Sequence, residues 1–520
     1  MKPEAPHLWL FEHAKRQPDA PALDTPGERV GYGALDERVR ALASSLLDAG
    51  LEKGERVLVA LPASPAAAVA ALAVQAAGGC AAEVSPASGP RILAAVVAQV
   101  RPRRAFLHAR NMATWRLVPG LEALEQAWLV GGEAALGKAS VEPLSEGGEL
   151  AGAVAARPLP CVNAEQPALI LFTSGSTSAP RGVVLSARNL ASNARAIATY
   201  LRLDAADRAM LVLPLTYAYG RSVLHSHLCA GGSVFLDDRF MYPRVVVEAL
   251  AEERCTNFSG VPATYELLRR AVPELRAPTC LRKLTQAGGA MARDTTRWVR
   301  TAFAPAPLYV MYGQTEATAR LSYLPPEHAS AKEGSIGIAI PSTELRVLDA
   351  EGRELPAGEV GELVARGPGV ALGYLNAPEE QARAFREGAL WTGDLAYRDA
   401  GGFFFLVERA KEILKVAGHR VSPAQIEAVL AGEPGVLEAA VVGLPDPVEG
   451  EVPAAAVVAG PGCEVSPEAL RRRCRELLGP VSVPRVLLLV EALPRSEVGK
   501  VLRRDVARLI AASAPRWGAA

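Results

Sequence analysis

The order of apolar runs along the 520 residues predicts an α/β protein. It has a large N-terminal domain, 1–408, and a small α+β C-terminal domain, 409–520. Three observations carry this reading. Strand-like and helix-like runs alternate from about residue 56 to residue 309, the pattern of parallel sheet covered by helices, here as two α/β subdomains. From about Gly334 the texture changes to short strands broken by Gly, Pro and Asp, which reads as a β-rich subdomain, a distorted barrel, over 334–408. After Arg409 the chain mixes helix-capping signals with strands.

The elements follow in order. Arg56-Val-Leu-Val-Ala-Leu61 reads as a strand. Residues 65–77 read as an apolar helix that Ser64 and Pro65 open and Gly78-Gly79 close. Its apolar tract, 66–77, is too short for a bilayer, which needs about 20 residues, so it belongs in an α/β layer. A helix at 92–99 lies between strands at 80–84 and 105–107. Residues 111–165 carry weaker patterns. Strand 168–172 runs into a polar loop, and a helix follows from about 187 to 201 with Ser186 as N-cap. Strands at 210–215, 233–236 and 281–286 continue the alternation. The β-rich segment contributes 345–348, 362–365 and 402–407. In the last domain Ser422-Pro-Ala-Gln425 is a capping box with proline in the first turn, opening a helix to about Leu430. Strands at 439–443 and 454–458 and a helix at 467–478 complete it.

Composition narrows the function. Half the residues are hydrophobic and 22% are charged, as in an ordinary globular protein. Lys plus Arg equals Asp plus Glu, 56 against 56. Zero net charge argues against nucleic acid as a partner. The seven cysteines show no Cys-x-x-Cys pair and no zinc spacing, which suits reduced thiols and a cytoplasmic location. The N-terminus has no apolar signal core, and no run is long enough to span a membrane. A monomer or homodimer is expected.

The most informative stretch is Thr173-Ser-Gly-Ser-Thr-Ser-Ala-Pro-Arg181, directly after a strand. Glycine lets backbone N–H groups approach an anion, hydroxyls add donors, and Arg181 carries a permanent charge. The spacing is not that of a Walker A loop, since no Lys-Ser/Thr follows. Alone, it reads equally as a polar surface loop. Tyr312-Gly-Gln-Thr-Glu316 follows another strand and presents a carboxylate suited to magnesium beside phosphate, although in isolation it reads first as a strand-to-loop turn with a solvated Glu. Trp391-Thr-Gly-Asp394 offers an Asp that can accept from a ribose diol. Glu408-Arg-Ala-Lys411 marks the domain boundary, and Gly499-Lys500 places one cation after a flexible residue. His225-x-His227 lacks a third metal ligand and reads as core or rim histidine.

Taken together and in this order, these motifs resemble the adenylate-forming superfamily of acyl-CoA synthetases, adenylation domains and luciferases. The resemblance covers nearly the whole chain and includes Gly361-Glu-Leu-Val-Ala-Arg-Gly-Pro-Gly369. It implies that a carboxylic acid is activated by ATP as acyl-AMP, with release of pyrophosphate, and then passed to a thiol. Thr173, Ser174, Gly175, Ser176 and Thr177 would hold the pyrophosphate end of ATP, with Arg181 as the loop's cation. Gly288, Tyr312, Gly313 and Gln314 would frame the adenine. Asp394 would bind the ribose and Arg409 would lie near ribose and phosphate. Thr315 would touch the α-phosphate and Glu316 would ligate Mg²⁺. Lys500 would be the catalytic lysine, Lys411 the hinge of a mobile small domain, and Gly418 part of the thiol tunnel. Tyr217, Ala218, Gly260, Gly289 and Met311 would line the acyl pocket.

The chemistry fits this assignment. Carboxylate and α-phosphate are both anions, and two unit charges 4 Å apart repel by roughly 4 kcal/mol at an effective dielectric of 20. A lysine between them and a metal on the leaving group offset that repulsion. The chain departs from the family where Ser178 replaces Gly, Arg181 replaces Lys, Glu408 replaces Gly and Ala417 precedes Gly418. Amino-acid-activating relatives carry Asp at the position of Ala218, so a neutral-tailed acid is expected, with Arg221 or His225 as candidate readers of a polar substituent. Three functions follow. The first is an acid–CoA ligase. The second is a stand-alone adenylating enzyme that loads an acyl or peptidyl carrier protein's phosphopantetheine or makes an amide. The third is a nucleotide-binding protein without catalysis.

Overall fold

In the computed structural model the described residues are 4–152, 154–173, 180–409, 414–416, 419–446, 450–496, 499 and 501–513. Contacts divide the chain into two compact units: Met1–Arg346 with Val364–Thr392, and Val347–Leu363 with Gly393–Ala520. The division falls at Thr392/Gly393, ahead of the boundary expected at 408/409. The β-rich segment therefore supplies strands to both units rather than standing in the first alone. A reason lies in its own pairing: Asp394 to Arg398 run antiparallel to Phe404–Arg409, and the Gly393 amide donates to Glu362 Oε1 at 2.9 Å.

The first unit holds two large sheets. In the eight-stranded sheet the central strands are parallel, and Pro167–Thr173 returns as the antiparallel strand Arg181–Ser186, on which the short strand Gly373–Tyr374 pairs in turn. In the nine-stranded sheet Arg208–Leu211, Asn257–Gly260, Lys283–Gln286 and Leu308–Tyr312 run parallel as neighbours. The eight-stranded sheet buries runs of Val, Leu, Ala and Ile, as parallel strands covered on both faces do, whereas the nine-stranded sheet also buries Asn257, Ser259, Thr285 and Gln286. The alanine-rich helix Pro65–Ala76 is buried along its whole length, and the Ser64 hydroxyl caps it by accepting from Ala67 N. The helix Ala187–Leu201 starts at a capping box: Ser186 Oγ accepts from Asn189 N at 3.1 Å and Asn189 Oδ1 accepts from Ser186 N at 2.8 Å.

The second unit contains a mixed sheet in which Val436–Asp446 pairs antiparallel with Gly450–Ala459, and Val486–Val490 lies parallel to the latter. Side chains alternate between its faces. Val441, Ala455 and Val457 pack under the helices Pro423–Ala431 and Pro467–Leu478, whereas Ala440, Val442 and Ala456 face Val506 and Ile510 of the helix Arg503–Ser513. Among the described residues no helix is long and apolar enough to cross a membrane.

Candidate active site

The hairpin that carries the polar loop fixes both of its ends. Thr173 stands opposite Arg181 in register, and Thr173 Oγ1 donates to the Arg181 carbonyl at 3.5 Å. Ser174, Gly175, Ser176, Thr177 and Ser178 lie outside the described residues, as do Lys411, Gly418 and Lys500. Arg181 has its guanidinium carbon 5.6 Å from the centre of the Tyr374 ring, and its Nε is buried without a hydrogen-bond partner among the described residues. Tyr374 reaches this place through the pairing of Gly373–Tyr374 with Val184 and Val183.

The same tyrosine holds the expected metal ligand. Tyr374 Oη donates to Glu316 Oε1 at 2.8 Å. Burial, followed by the Glu316 charge, raises the Tyr374 pKa, so the hydroxyl keeps its proton and donates. Glu316 sits in the single turn Thr315–Ala317, and its carbonyl accepts from Ala371 N at 2.9 Å. The helix after the polar loop braces both neighbouring segments. Asn189 Nδ2 donates to the carbonyls of Pro368 and Val370 at 2.8 Å each, Asn193 Nδ2 donates to Arg320 O at 3.0 Å, and Thr318 Oγ1 donates to Gly369 O at 2.7 Å. Three stretches far apart in sequence, near 181–193, 315–320 and 368–374, thus form one frame.

The turn into that frame needs Gly313, where a Cβ would fall 1.9 Å from the Ala319 carbonyl oxygen. Gln314 Nε2 donates to Tyr312 Oη at 3.1 Å and to Thr392 O at 3.0 Å. Gly288 has φ +89 and lies against the Tyr217 hydroxyl, so the expected adenine and acyl positions are adjacent. Gln286 Nε2 donates to Gly289 O at 2.7 Å. Gly260 ends its strand against Thr264 and Tyr265. Ala218 begins the helix Ala218–Ala230, and Met311 is buried with its sulfur accepting from Tyr200 Oη at 2.9 Å. In the second unit Asp394 is buried and stands opposite Arg409 in register.

The two candidate readers of the acid, Arg221 and His225, line one cavity with Ala218. Arg221 is buried, with Nη2 donating to Glu83 Oε1 and Nε donating to Leu215 O at 3.3 Å, while Nη1 has no hydrogen-bond partner among the described residues. His225 is buried and its pKa is lowered, chiefly by desolvation and then by Arg221. His227 is a neutral core residue: Nδ1–H donates to Val223 O, and Nε2 accepts from Asn257 Nδ2 at 2.9 Å. The sequence reading missed Tyr374 and Arg320. Only strand pairing brings the first to the site, and the second falls four residues after Glu316 with nothing local to single it out.

Comparison with known proteins gives the family. The AMP-binding enzyme profile matches residues 10–375, and the AMP-binding enzyme C-terminal domain matches 425–500. The chain belongs to the AMP-binding enzyme family. It is therefore a member of the adenylate-forming superfamily and has that superfamily's fold. The chain is 35% identical over 499 residues to sulfoacetate–CoA ligase of Cupriavidus necator, covering 94% of this chain and 95% of that one. It is 32% identical over 505 residues to feruloyl-CoA synthase of an Amycolatopsis species, covering 96% and 98%. ATP-bound MatB of Rhodopseudomonas palustris matches with a TM-score of 0.86 at 26% identity over 97% of this chain and 98% of that one. The amide bond synthetase McbA of Marinactinospora thermotolerans matches with a TM-score of 0.83 at 28% identity over 97% and 99%.

Proposed function

We propose that this AMP-binding enzyme is an AMP-forming acid–CoA ligase. It joins a carboxylic acid to ATP as acyl-AMP, releases pyrophosphate, and transfers the acyl group to CoA. The observation that carries the reading is the frame around Tyr374, which sets a cation, Arg181, and a carboxylate, Glu316, beside the hairpin of the polar loop. Relatives over nearly the full length are named CoA ligases, which supports CoA over a carrier protein or an amine.

Each residue then has a task. The loop from Thr173 and the Arg181 guanidinium hold the phosphates, and the orphaned Arg181 Nε supplies a donor for them. Thr315 touches the α-phosphate. Glu316 fits a magnesium ligand, being a carboxylate whose orientation Tyr374 fixes through one oxygen. Bound there, the ion would neutralise charge on the departing pyrophosphate. Gly288, Tyr312, Gly313 and Gln314 frame the base, and Asp394 with Arg409 holds the ribose. Lys500 bridges the attacking carboxylate and the α-phosphate oxygen. Lys411 is the hinge that withdraws Lys500 and brings Gly418 to the thiol. The proposed location is the cytoplasm, in keeping with CoA and ATP as substrates.

Acid-dependent exchange of labelled pyrophosphate into ATP tests the first half-reaction, and mass spectrometry of products with CoA, a holo carrier protein or amines tests the second. Exchange followed by acyl-CoA as the main product is expected. Exchange with an amide or carrier thioester as the main product would overturn CoA as acceptor, and absence of exchange with every acid would overturn the adenylating role.

A further inference from the structure

Three arginines are buried among the described residues: Arg104, Arg221 and Arg320. Two have a carboxylate partner, Glu55 for Arg104 and Glu83 for Arg221, each at 2.5 Å. Arg320 has none among the described residues, although it is only 3% exposed. Its contacts among the described residues are with neutral groups: Nη1 to Ala319 O at 3.4 Å, Nε to Met311 Sδ at 3.4 Å, the Tyr200 hydroxyl, and the face of the Tyr219 ring 4.0 Å from its guanidinium carbon.

Among the described residues nothing around it supplies negative charge. Arg320 lines a cavity with Ser259, Thr285, Met311, Ser222 and Lys283. Lys283 is a second cation and is already held by Asp207 at 2.7 Å. Burial pushes the Tyr219 hydroxyl up to about 12, so it is no phenolate, and it shares hydrogen bonds of 2.8 Å with Thr285, which is in turn bonded to Ser259. A buried guanidinium without a counter-ion is costly, and an anionic ligand placed against it would offset that cost. Met311, which Arg320 touches, and Tyr217, which packs against Tyr219 at 6.3 Å between ring centres, are the residues expected to line the acyl pocket.

We propose that Arg320 is the specificity-determining residue of the acyl pocket, and that it pairs with a second anionic group, a carboxylate or a sulfonate, at the far end of the acid being activated. The substrate class is then a dianionic acid, in place of the neutral-tailed acid expected from Ala218. This inference rests on the acid-activating function proposed above. Planar guanidinium matches either anion through two parallel hydrogen bonds, with the Ser259 and Thr285 hydroxyls at hand to complete its shell.

The test is pyrophosphate exchange with malonate, succinate and sulfoacetate against propionate, butyrate and ferulate, on the wild type, Arg320→Met and Arg320→Lys, with the melting temperature of each. The wild type is expected to prefer at least one dianionic acid over its neutral counterpart. In Arg320→Met the ratio of kcat/KM between the two should fall by about 30-fold or more, mainly through KM, because truncating one partner of a buried charge pair has an effect of that order. Arg320→Lys should recover part of the ratio. Preference of the wild type for neutral acids, or an equal loss on all acids with a lowered melting temperature, would overturn the proposal and assign Arg320 a purely structural place on Tyr219. Absence of exchange with all six acids would count against the acid-activating function itself.

Discussion

Tyr374→Phe removes the hydrogen bond to Glu316, the proposed magnesium ligand. The ring stays, so the contact with Arg181 at 5.6 Å and the edge packing on Phe385 at 5.4 Å are retained. The donor to Glu316 Oε1, at 2.8 Å, is lost, with the hydroxyl's weaker interaction with Arg181. A hydrogen bond to a charged group contributes about 1.5–3 kcal/mol. Residues that orient a metal ligand typically change metal affinity or activity by about 10–100-fold. The expected result is a rise of about 10-fold or more in the magnesium concentration that half-saturates pyrophosphate exchange. The rate at saturating magnesium should return to within about 3-fold of the wild type. The assay is exchange at fixed ATP across a magnesium titration, with circular dichroism to confirm folding. An unchanged magnesium dependence with a depressed maximal rate would refute the reasoning, because Tyr374 would then act on something other than Glu316. A lower magnesium requirement would refute it too, since it would mean that the hydrogen bond competes with the ion.

Three further outcomes follow. Lys500→Ala should abolish exchange while the protein still converts a supplied acyl-adenylate and CoA to thioester, and equal loss of both half-reactions would contradict a hinge-driven exchange of roles. Glu83→Gln should destabilise the fold by about 3–5 kcal/mol in urea titration by leaving Arg221 buried without its partner, whereas Glu83→Leu with Arg221→Met should recover most of that. Burial lowers the His227 pKa from 6.5 to about 4, with Val223 and Asp207 opposing. The unfolded chain therefore binds more protons across that window, so stability should be full above about pH 6.5 and fall as the pH drops toward 4, by roughly 3 kcal/mol for this group. His227→Asn should flatten that slope in denaturation curves taken at pH 7, 6 and 5.

Where structure was legible in the sequence, the signal was local. The helix Ala187–Leu201 is marked by a side-chain cap that stands next to it in the chain, and Pro65–Ala76 and Pro467–Leu478 likewise follow a capping serine and a proline. The helices Pro6–Arg16, Tyr32–Asp48 and Ala218–Ala230 went unmarked because their caps, Ala5, Gly31 and Tyr217, offer no side-chain hydrogen bond. The site divides in the same way. Thr173, Arg181, Gly313 and Glu316 sit in short motifs whose glycines and hydroxyls announce a ligand. Tyr374 does not, because its role arises from pairing with Val183, far away in sequence. Arg221 and Arg320 could not be told apart, since what separates them is Glu83, which arrives from a different strand.

The frame also answers a problem that any site of this kind faces. It needs a cation for phosphate and a carboxylate for metal close together, yet the two attract one another. At 4 Å and an effective dielectric of 20 that attraction is about 4 kcal/mol, and a ligand would have to overcome it before using either group. Among the described residues no ion pair joins Arg181 and Glu316. Each instead touches Tyr374, the guanidinium at the ring and the carboxylate at the hydroxyl. The ring therefore works as a spacer that satisfies both charges weakly and leaves each available. Phenylalanine keeps the spacer and removes one tie, whereas Tyr374→Ala removes both and lets Arg181 and Glu316 close on one another. Tyr374→Ala should thus raise the apparent constants for ATP and for magnesium together, while Tyr374→Phe raises that for magnesium alone. If the two variants behave alike, the hydroxyl is the whole of the residue's function and the spacing argument fails.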